Sequence, residues 1–379
     1  MVGKGPMASA RTPIESLAEA LRSAHPELEQ IAAAADGPVY VVGGAVRDQL
    51  LGHGRADLDV VVVGDAAALA RALGATEIVE HERFATAKVE MAGHPVDIAA
   101  ARTETYPHPG ALPVVAPARE IEADLARRDF TINAMAMPLG DEPRLVDPQG
   151  GREDLERGLL RALHPRSFED DPTRAIRAAR YASRFGFALE PETEALLRKA
   201  DLGTVSADRR TAELARLAGE PNAARGLGLL TEWGLIEPRE GGIELADAVA
   251  ELLGEELWAG AVERIPAMLA AALGPPGAES ELAGVHPRRP SEAVELARGR
   301  SAVELALARA LGAEWLDRFL EEWRDVALEI DGSDLIAAGV PEGPALGRGL
   351  EAALRKRLDG EVRGRDEELT AALAAARQP

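Results

Sequence analysis

The sequence predicts an α+β fold: a mixed sheet with flanking helices over roughly the first 165 of 379 residues, then an all-helical remainder. Three observations predict it. The β-branched run Val60-Val61-Val62-Val63 reads as a buried strand. Ala85–Met91 and Pro95–Ala100 read as two strands of a hairpin joined near Gly93-His94. From Glu120 onward Ala, Leu, Arg and Glu are abundant, and these residues favour helices.

Taken in order, the first dozen residues read as disordered, and Met7 is a possible second start. Residues 13–35 predict one amphipathic helix with Ile14, Leu17, Leu21 and Leu28 on its apolar stripe. Pro38–Val42 is a first strand, Gly43-Gly44 a turn, and Ala45–Leu51 a helix. Asp57–Val63 is a second strand, and Asp65 caps a helix through Leu73. After the hairpin, Pro107–Pro117 is a loop rich in Pro and Gly. Pro275-Pro276-Gly277 and Pro287–Pro290 mark a candidate linker inside the helical part.

The formal charge of −21 argues against a protein that coats nucleic acid by bulk electrostatics. The charge is uneven. Residues 168–225 carry ten Lys/Arg and ten Asp/Glu, whereas residues 237–263 carry eight acids and one arginine. The balanced stretch suits either a local basic surface for an RNA end or a solvated helical face of mixed charge. Without cysteine, disulfides, thiolate metal sites and cysteine nucleophiles are excluded. No run is apolar enough to span a bilayer, and Met1–Met7 lacks the apolar core of a secretory signal. The expectation is a cytoplasmic protein with no membrane partner and no obligate protein partner.

Asp57 and Asp59 lie two apart on the second strand, so they share a face. Two carboxylates there repel each other and lose hydration, and a divalent cation relieves both costs. Hard cations such as Mg²⁺ take oxygen ligands, typically shared with substrate phosphates. A bare Asp-x-Asp more often marks a solvated strand end, so its neighbours decide. Upstream, Gly43-Gly44-Ala45-Val46-Arg47-Asp48 joins a strand to a helix. Glycines let the backbone approach a phosphate, the helix N-terminus offers free N–H groups, and Arg47 supplies a fork matching phosphate oxygens.

A second stretch, Arg127-Arg128-Asp129-Phe130-Thr131-Ile132-Asn133, offers Arg128 to a triphosphate and Asn133 to a sugar hydroxyl or phosphate. Asp129 is expected to orient an arginine rather than to catalyse. In a third, Asp170-Asp171-Pro172-Thr173-Arg174, Pro172 suits the first turn of a helix. Asp171 and Arg174, three apart, make either an intrahelical ion pair or an acceptor beside a donor. Such a couple reads the amino group and ring nitrogen that cytosine and adenine present. It rejects the carbonyl and ring N–H of uracil and guanine. Arg177 and Arg180 turn progressively around the same helix and serve phosphate, RNA or simply a basic face.

These stretches, in this order, resemble the class II tRNA nucleotidyltransferase and bacterial poly(A) polymerase family of polymerase-β-like nucleotidyltransferases. The likeness continues through Val146-Asp147-Pro148-Gln149-Gly150-Gly151, Arg184-Phe185-Gly186-Phe187 and, near the C-terminus, Gly339-Val340-Pro341-Glu342-Gly343-Pro344 and Leu358-Asp359-Gly360-Glu361. It implies a nucleotidyltransferase head (13–165), a nucleotide-selecting helical neck (166–236), a helical body (237–330) and a tRNA-binding helical tail (331–379), after a disordered 1–12. It implies that Gly43, Gly44, Arg47, Arg128 and Asn133 contact the nucleotide. Asp57 and Asp59 would bind two Mg²⁺ ions. Asp97 would be a third catalytic carboxylate, or a plain strand-edge aspartate. Asp171 and Arg174 would form an amino-acid template, with Arg177 and Arg180 lining the same pocket. Arg209, Arg210, Arg355, Lys356 and Arg357 would grip tRNA by shape and phosphate contacts, although the last three also suit a solvated helix face.

The implied reaction moves CMP or AMP from CTP or ATP to the tRNA 3′ end and releases pyrophosphate, by a two-metal mechanism. Many full CCA-adding members have Glu-Asp where this chain has Asp170-Asp171. That form, with Pro109-Gly110-Ala111-Leu112-Pro113, resembles a subgroup that includes enzymes adding only part of CCA. Addition of CCA, CC or A alone therefore stays open. The chain has no His-Asp dipeptide, which argues against a phosphohydrolase domain. The rival readings are a bacterial poly(A) polymerase, a non-catalytic RNA-binding protein on the same scaffold, and a small-molecule nucleotidyltransferase.

Overall fold

The computed structural model describes residues 12–54, 57–74, 86–140 and 142–377. Of the disorder expected over residues 1–12, residues 1–11 lie outside the described residues, as does Ala85 of the expected hairpin, while the Thr12 carbonyl accepts from Arg152 Nη2 at 2.8 Å. The chain divides into two units. One is Met1–Leu217 with Leu229–Ile236, and the other is Ala218–Gly228 with Glu237–Pro379.

The first unit is built on strands β1 (Val39–Val42), β2 (Leu58–Val62), β3 (Thr86–Met91), β4 (His94–Ala100), β5 (Arg102–Thr105), β6 (Val114–Pro117) and β7 (Ala136–Pro138). Five of them form a mixed sheet in the order β3-β4-β2-β1-β7. Only β2 and β4 run parallel; the other neighbours are antiparallel. β1 is buried at every position, which explains its unbroken apolar sequence. Register sets Asp59 opposite Asp97, and Asp97 opposite Lys88.

The helix expected over 13–35 is two helices, α1 (Ile14–Ala24) and α2 (Glu27–Ala34). Pro26 has no N–H to continue the ladder and disfavours helical geometry at His25 before it. The apolar stripe survives the break, and Leu17, Leu21, Leu28 and Ile31 are all buried. α3 (Gly44–Leu50) follows the glycine turn, and α4 (Ala66–Ala72) follows β2. Asp65 caps α4, accepting from the Ala67 and Ala68 N–H groups at 2.9 and 3.0 Å.

The expected 107–117 loop ends in a strand. β6 pairs with β5 as a separate two-stranded sheet, with the Thr103 and Thr105 hydroxyls donating to the Ala116 and Val114 carbonyls. The missed signal is weak because β5 is Arg-Thr-Glu-Thr, with no apolar alternation. α5 (Ile121–Leu125) closes a core of Tyr40, Val42, Val61, Ile121, Leu125, Ala134 and Ala136 against the sheet. The helical part of this unit contains α6 (Gly151–Arg157), α7 (Ser167–Asp170), α8 (Thr173–Phe185), α9 (Pro191–Leu197) and α10 (Ala207–Ala218). Ala175, Ile176, Ala178 and Ala179 of α8 are fully buried.

In the second unit, helices Gly242–Leu252, Arg264–Leu273 and Ala302–Ala310 pack together. Helices Gly332–Ala337, Pro344–Leu358 and Arg365–Ala376 enclose another core around Leu335, Ala353 and Ala372. The expected linker at 275–277 is tied into this packing. Buried Glu279 accepts from the Gly277 N–H at 3.0 Å and from Arg239 Nη1 at 2.9 Å. Among the described residues, no helix is long and apolar enough to cross a membrane.

Candidate active site

The end of β1, the start of β2 and the facing part of β4 open on a cleft of about 1260 Å³. Gly43, Gly44, Arg47, Asp57, Asp59, Asp97, Arg128, Asn133, Asp171, Arg174, Arg177 and Arg180 all line it. Residues far apart in the chain thus converge on one site.

Asp59 on β2 and Asp57, one residue before the strand begins, line the same cleft. Burial pushes the Asp59 carboxyl above its ordinary range, and the charges of Asp97 and Asp57 add to the rise, against Arg128 and Arg47. Asp97 is more exposed, with its Oδ1 at 3.7 Å from Lys88 Nζ. Among the described residues, no three acidic or imidazole side chains gather tightly enough to enclose a metal on their own.

Gly43 has a left-handed φ of +63°, and a Cβ there would come within 2.8 Å of Arg128 Nη1. Only glycine meets both demands without strain. Arg128 is aimed by Asp124, whose Oδ2 accepts from Nε at 3.3 Å and Nη2 at 3.0 Å. Asp124 Oδ1 accepts from Arg127 Nη2 at 2.7 Å. Burial works to raise the Asp124 carboxyl, but Arg128 and Arg127 outweigh it and hold it below its usual range. Sequence reasoning missed Asp124. Its signal was its spacing, three and four residues before the two arginines, a spacing that its neighbour Glu122 does not share.

Arg47 is not a free fork. It is buried, with Nε donating to Asp48 Oδ1 at 2.7 Å and Nη1 to Asn133 Oδ1 at 2.5 Å. Its guanidinium also lies over the Phe185 ring, 4.8 Å from the centroid. Asn133 is likewise committed, since its Nδ2 donates to Asp129 Oδ1 at 2.9 Å. Asp129 orients Arg177, accepting from Nε at 2.8 Å in an ion pair whose Nη2 stands 2.7 Å from the same oxygen. Burial works to raise the Asp129 carboxyl, but the Arg177 charge and hydrogen bonds from Asn133 and Arg177 bring it down to about 2. Arg180 is less committed. Nη2 donates to the Tyr181 hydroxyl at 3.3 Å, while its buried Nε has no hydrogen-bond partner among the described residues.

Asp171 sits just before α8, and no intrahelical pair with Arg174 forms among the described contacts. Asp171 Oδ1 instead accepts from the Thr173 hydroxyl at 2.6 Å and from Arg209 Nη2 at 2.9 Å. Arg174 is buried and fixed: Nη1 donates to Ser167 Oγ and Nη2 to the Arg127 carbonyl, both at 2.8 Å. Arg209 also donates to the Gly110 carbonyl at 2.9 Å, which gives it work inside the first unit. Tyr106, also missed from sequence, lines the cleft with its hydroxyl tied to Glu104 Oε2 at 2.9 Å.

The remaining expected RNA contacts lie outside the cleft lining. Arg210 Nη1 donates to the Leu202 carbonyl at 3.3 Å. In the second unit Arg355 and Lys356 are exposed, with Arg355 Nη2 at 3.6 Å from Glu351. Arg357 Nη1 lies 3.2 Å from the fully buried Glu368 carboxylate.

Comparison with known proteins agrees with this geometry. Residues 39–161 match the Poly A polymerase head domain. The CC-adding tRNA nucleotidyltransferase of Deinococcus radiodurans is 36% identical over 358 residues, 89% of each chain. The solved Thermotoga maritima CCA-adding enzyme complexed with tRNA superposes with a TM-score of 0.74 at 27% identity, covering 95% of this chain and 98% of that one. A CCA-adding enzyme complexed with ATP gives 0.78 at 27% identity over the same shares. The aspartate pair, the glycine turn and a likeness spanning nine-tenths of both chains lead to one conclusion: this chain belongs to the tRNA nucleotidyltransferase family.

Proposed function

We propose that this chain transfers CMP, AMP or both from CTP and ATP to the 3′-hydroxyl of tRNA, releasing pyrophosphate. One observation carries the reading: Asp57 and Asp59 open on the same cleft as Gly43-Gly44, Arg128 and the Asp171/Arg174 couple. The similarity to a CC-adding enzyme, and to CCA-adding enzymes complexed with tRNA and with ATP, supports the same substrates here. In this reading residues 13–165 are the catalytic head, 166–236 the neck, 237–330 the body and 331–379 the tail, in a protein of the cytoplasm.

The donor set suits Mg²⁺. Its oxygens are hard, Asp59 is raised by burial and by two acidic neighbours, and phosphate oxygens can complete an incomplete protein cage. Held by Asp57 and Asp59, Mg²⁺ would lower the pKa of the attacking hydroxyl and neutralise charge on the departing pyrophosphate. The chain's own residues do the rest. Gly43 and Gly44 admit the triphosphate and Arg128 donates to it, while Arg47, Asn133, Asp129 and Arg177 hold the wall behind it. Asp171 accepts from the base amino group, and Arg174 donates to the ring nitrogen. Arg180 completes the pocket. Exposed Arg355 and Lys356 bind tRNA phosphate.

The test uses three tRNA transcripts, ending before CCA, after the first C and after CC, each with CTP, ATP or both. Discrete addition to at least one of them is expected, and the 3′ end reads out which. Long tails from ATP alone would identify a poly(A) polymerase instead. No addition to any transcript would refute the reading.

A further inference from the structure

Lys88 sits on β3, at the edge of the five-stranded sheet. It is the cross-strand partner of Asp97, which is the partner of Asp59. Directly opposed residues project from the same face. Lys88, Asp97 and Asp59 therefore form a row across three strands, and all three line the cleft. Lys88 Nζ stands 3.7 Å from Asp97 Oδ1, with both side chains more than half exposed. So exposed a pair contributes little to stability. Beyond Asp59 the row continues to β1, which ends at Gly43-Gly44 with Arg128 beside it. Cationic groups thus flank the carboxylates on opposite sides, Arg128 toward β1 and Lys88 toward β3.

In phosphoryl transfer the attacking and leaving oxygens lie roughly in line through phosphorus. A pyrophosphate drawn to the Gly44 and Arg128 side leaves the β3 side for the attacking 3′-hydroxyl. The nucleotide that carries this hydroxyl is joined to the RNA by its own phosphodiester, one sugar away. We propose that Lys88 binds that last phosphodiester of the RNA and so holds the 3′-hydroxyl over Asp59 and Asp97. The inference rests on the nucleotidyltransfer reading above. A lysine is a compact charge on a flexible stem, able to turn from Asp97 to an arriving phosphate. Edge-strand lysines also discourage pairing between sheets, a role that would not touch substrate kinetics.

The experiment uses the full chain and two forms of tRNA lacking CCA, one natural and one with a methylphosphonate at the last linkage. Initial rates are measured for wild type, Lys88→Ala and Lys88→Arg, varying RNA and CTP separately. The expected result is a KM for tRNA raised about fivefold in Lys88→Ala, the upper range for one exposed ionic contact. The KM for CTP stays unchanged, and Lys88→Arg recovers most of the loss. The slope of log KM for tRNA against log salt flattens by about 0.7, one phosphate contact. The methylphosphonate costs wild type the same factor and costs Lys88→Ala nothing more. Losses that multiply, or an effect on CTP or on kcat alone, would overturn the proposal. Wild type that extends neither RNA with CTP, nor a transcript ending in CC with ATP, would overturn both it and the reading beneath it.

Discussion

Arg209 joins Asp171 to Gly110 through two nitrogens of one guanidinium, 2.9 Å from Asp171 Oδ1 and 2.9 Å from the Gly110 carbonyl. The contact holds Asp171, proposed above as the acceptor that reads the base, and clamps the loop before β6 to α10. Gly110 has φ +71°, and a Cβ on it would fall 2.5 Å from the Thr204 carbonyl oxygen, so the loop is seated closely. Arg209→Ala removes the charged hold on Asp171 and leaves it on the Thr173 hydroxyl and N–H alone. Discrimination between CTP and UTP, read as the ratio of kcat/KM values, should fall about tenfold while the fold persists. An unchanged ratio would remove Arg209 from nucleotide selection.

Gly43→Ala places a methyl group against Arg128 Nη1 and demands a left-handed backbone from alanine. The backbone term costs about 1 kcal/mol. The displaced guanidinium should raise the KM for CTP by about tenfold or more, the loss of one charge-assisted contact. Thermal unfolding and initial rates measured on the same preparation separate the two effects.

The pairing of Asp129 with Arg177 predicts acid sensitivity. Asp129 is brought down to about 2 in the folded chain, below its unfolded value. Its contribution is therefore fully present above about pH 4 and disappears as pH falls toward 2. The size is about 2 kcal/mol. Asp129→Asn should destabilise the protein at pH 7 and flatten the pH dependence of urea midpoints between pH 4 and 2. Parallel wild-type and variant curves would contradict this.

Within the run Arg355-Lys356-Arg357 the structure predicts different behaviour for different residues. Arg357 faces the fully buried Glu368 carboxylate. Arg357→Ala should cost about 2 kcal/mol of stability, less than for a fully buried pair because the arginine is partly exposed. Arg355→Glu with Lys356→Glu should leave stability alone, weaken tRNA binding in a salt-dependent way and spare CTP binding. Equal tRNA affinity at low salt would take both residues out of the interface.

The sheet was legible because it depends on local pattern, whereas the convergence of the site was expected only from the family resemblance. Apolar runs predict β1 and β2, and strand alternation predicts that Asp57 and Asp59 share a face. The break at Pro26 was legible too, had the proline outweighed the periodic stripe. Partner choice was not legible. Arg177 meets Asp129 across 48 residues and Arg209 meets Asp171 across 38. No spacing rule reports such pairs, and a charge in the sequence does not reveal whether a partner has already claimed it. Arg47 and Asn133 look like ligands for phosphate and sugar in sequence, yet Nε and Nη1 of Arg47 and both polar atoms of Asn133 already meet protein partners.

The central claim is that Asp57 and Asp59 act through a divalent cation at the triphosphate. The most direct measurement is nucleotide addition, of CMP to tRNA lacking CCA or of AMP to tRNA ending in CC, against Mg²⁺ concentration, in wild type and in Asp57→Asn/Asp59→Asn. The account predicts saturable Mg²⁺ dependence in wild type, and in the variant a loss of at least about a thousandfold with tRNA affinity retained. A variant that still adds nucleotide at a wild-type rate would contradict it.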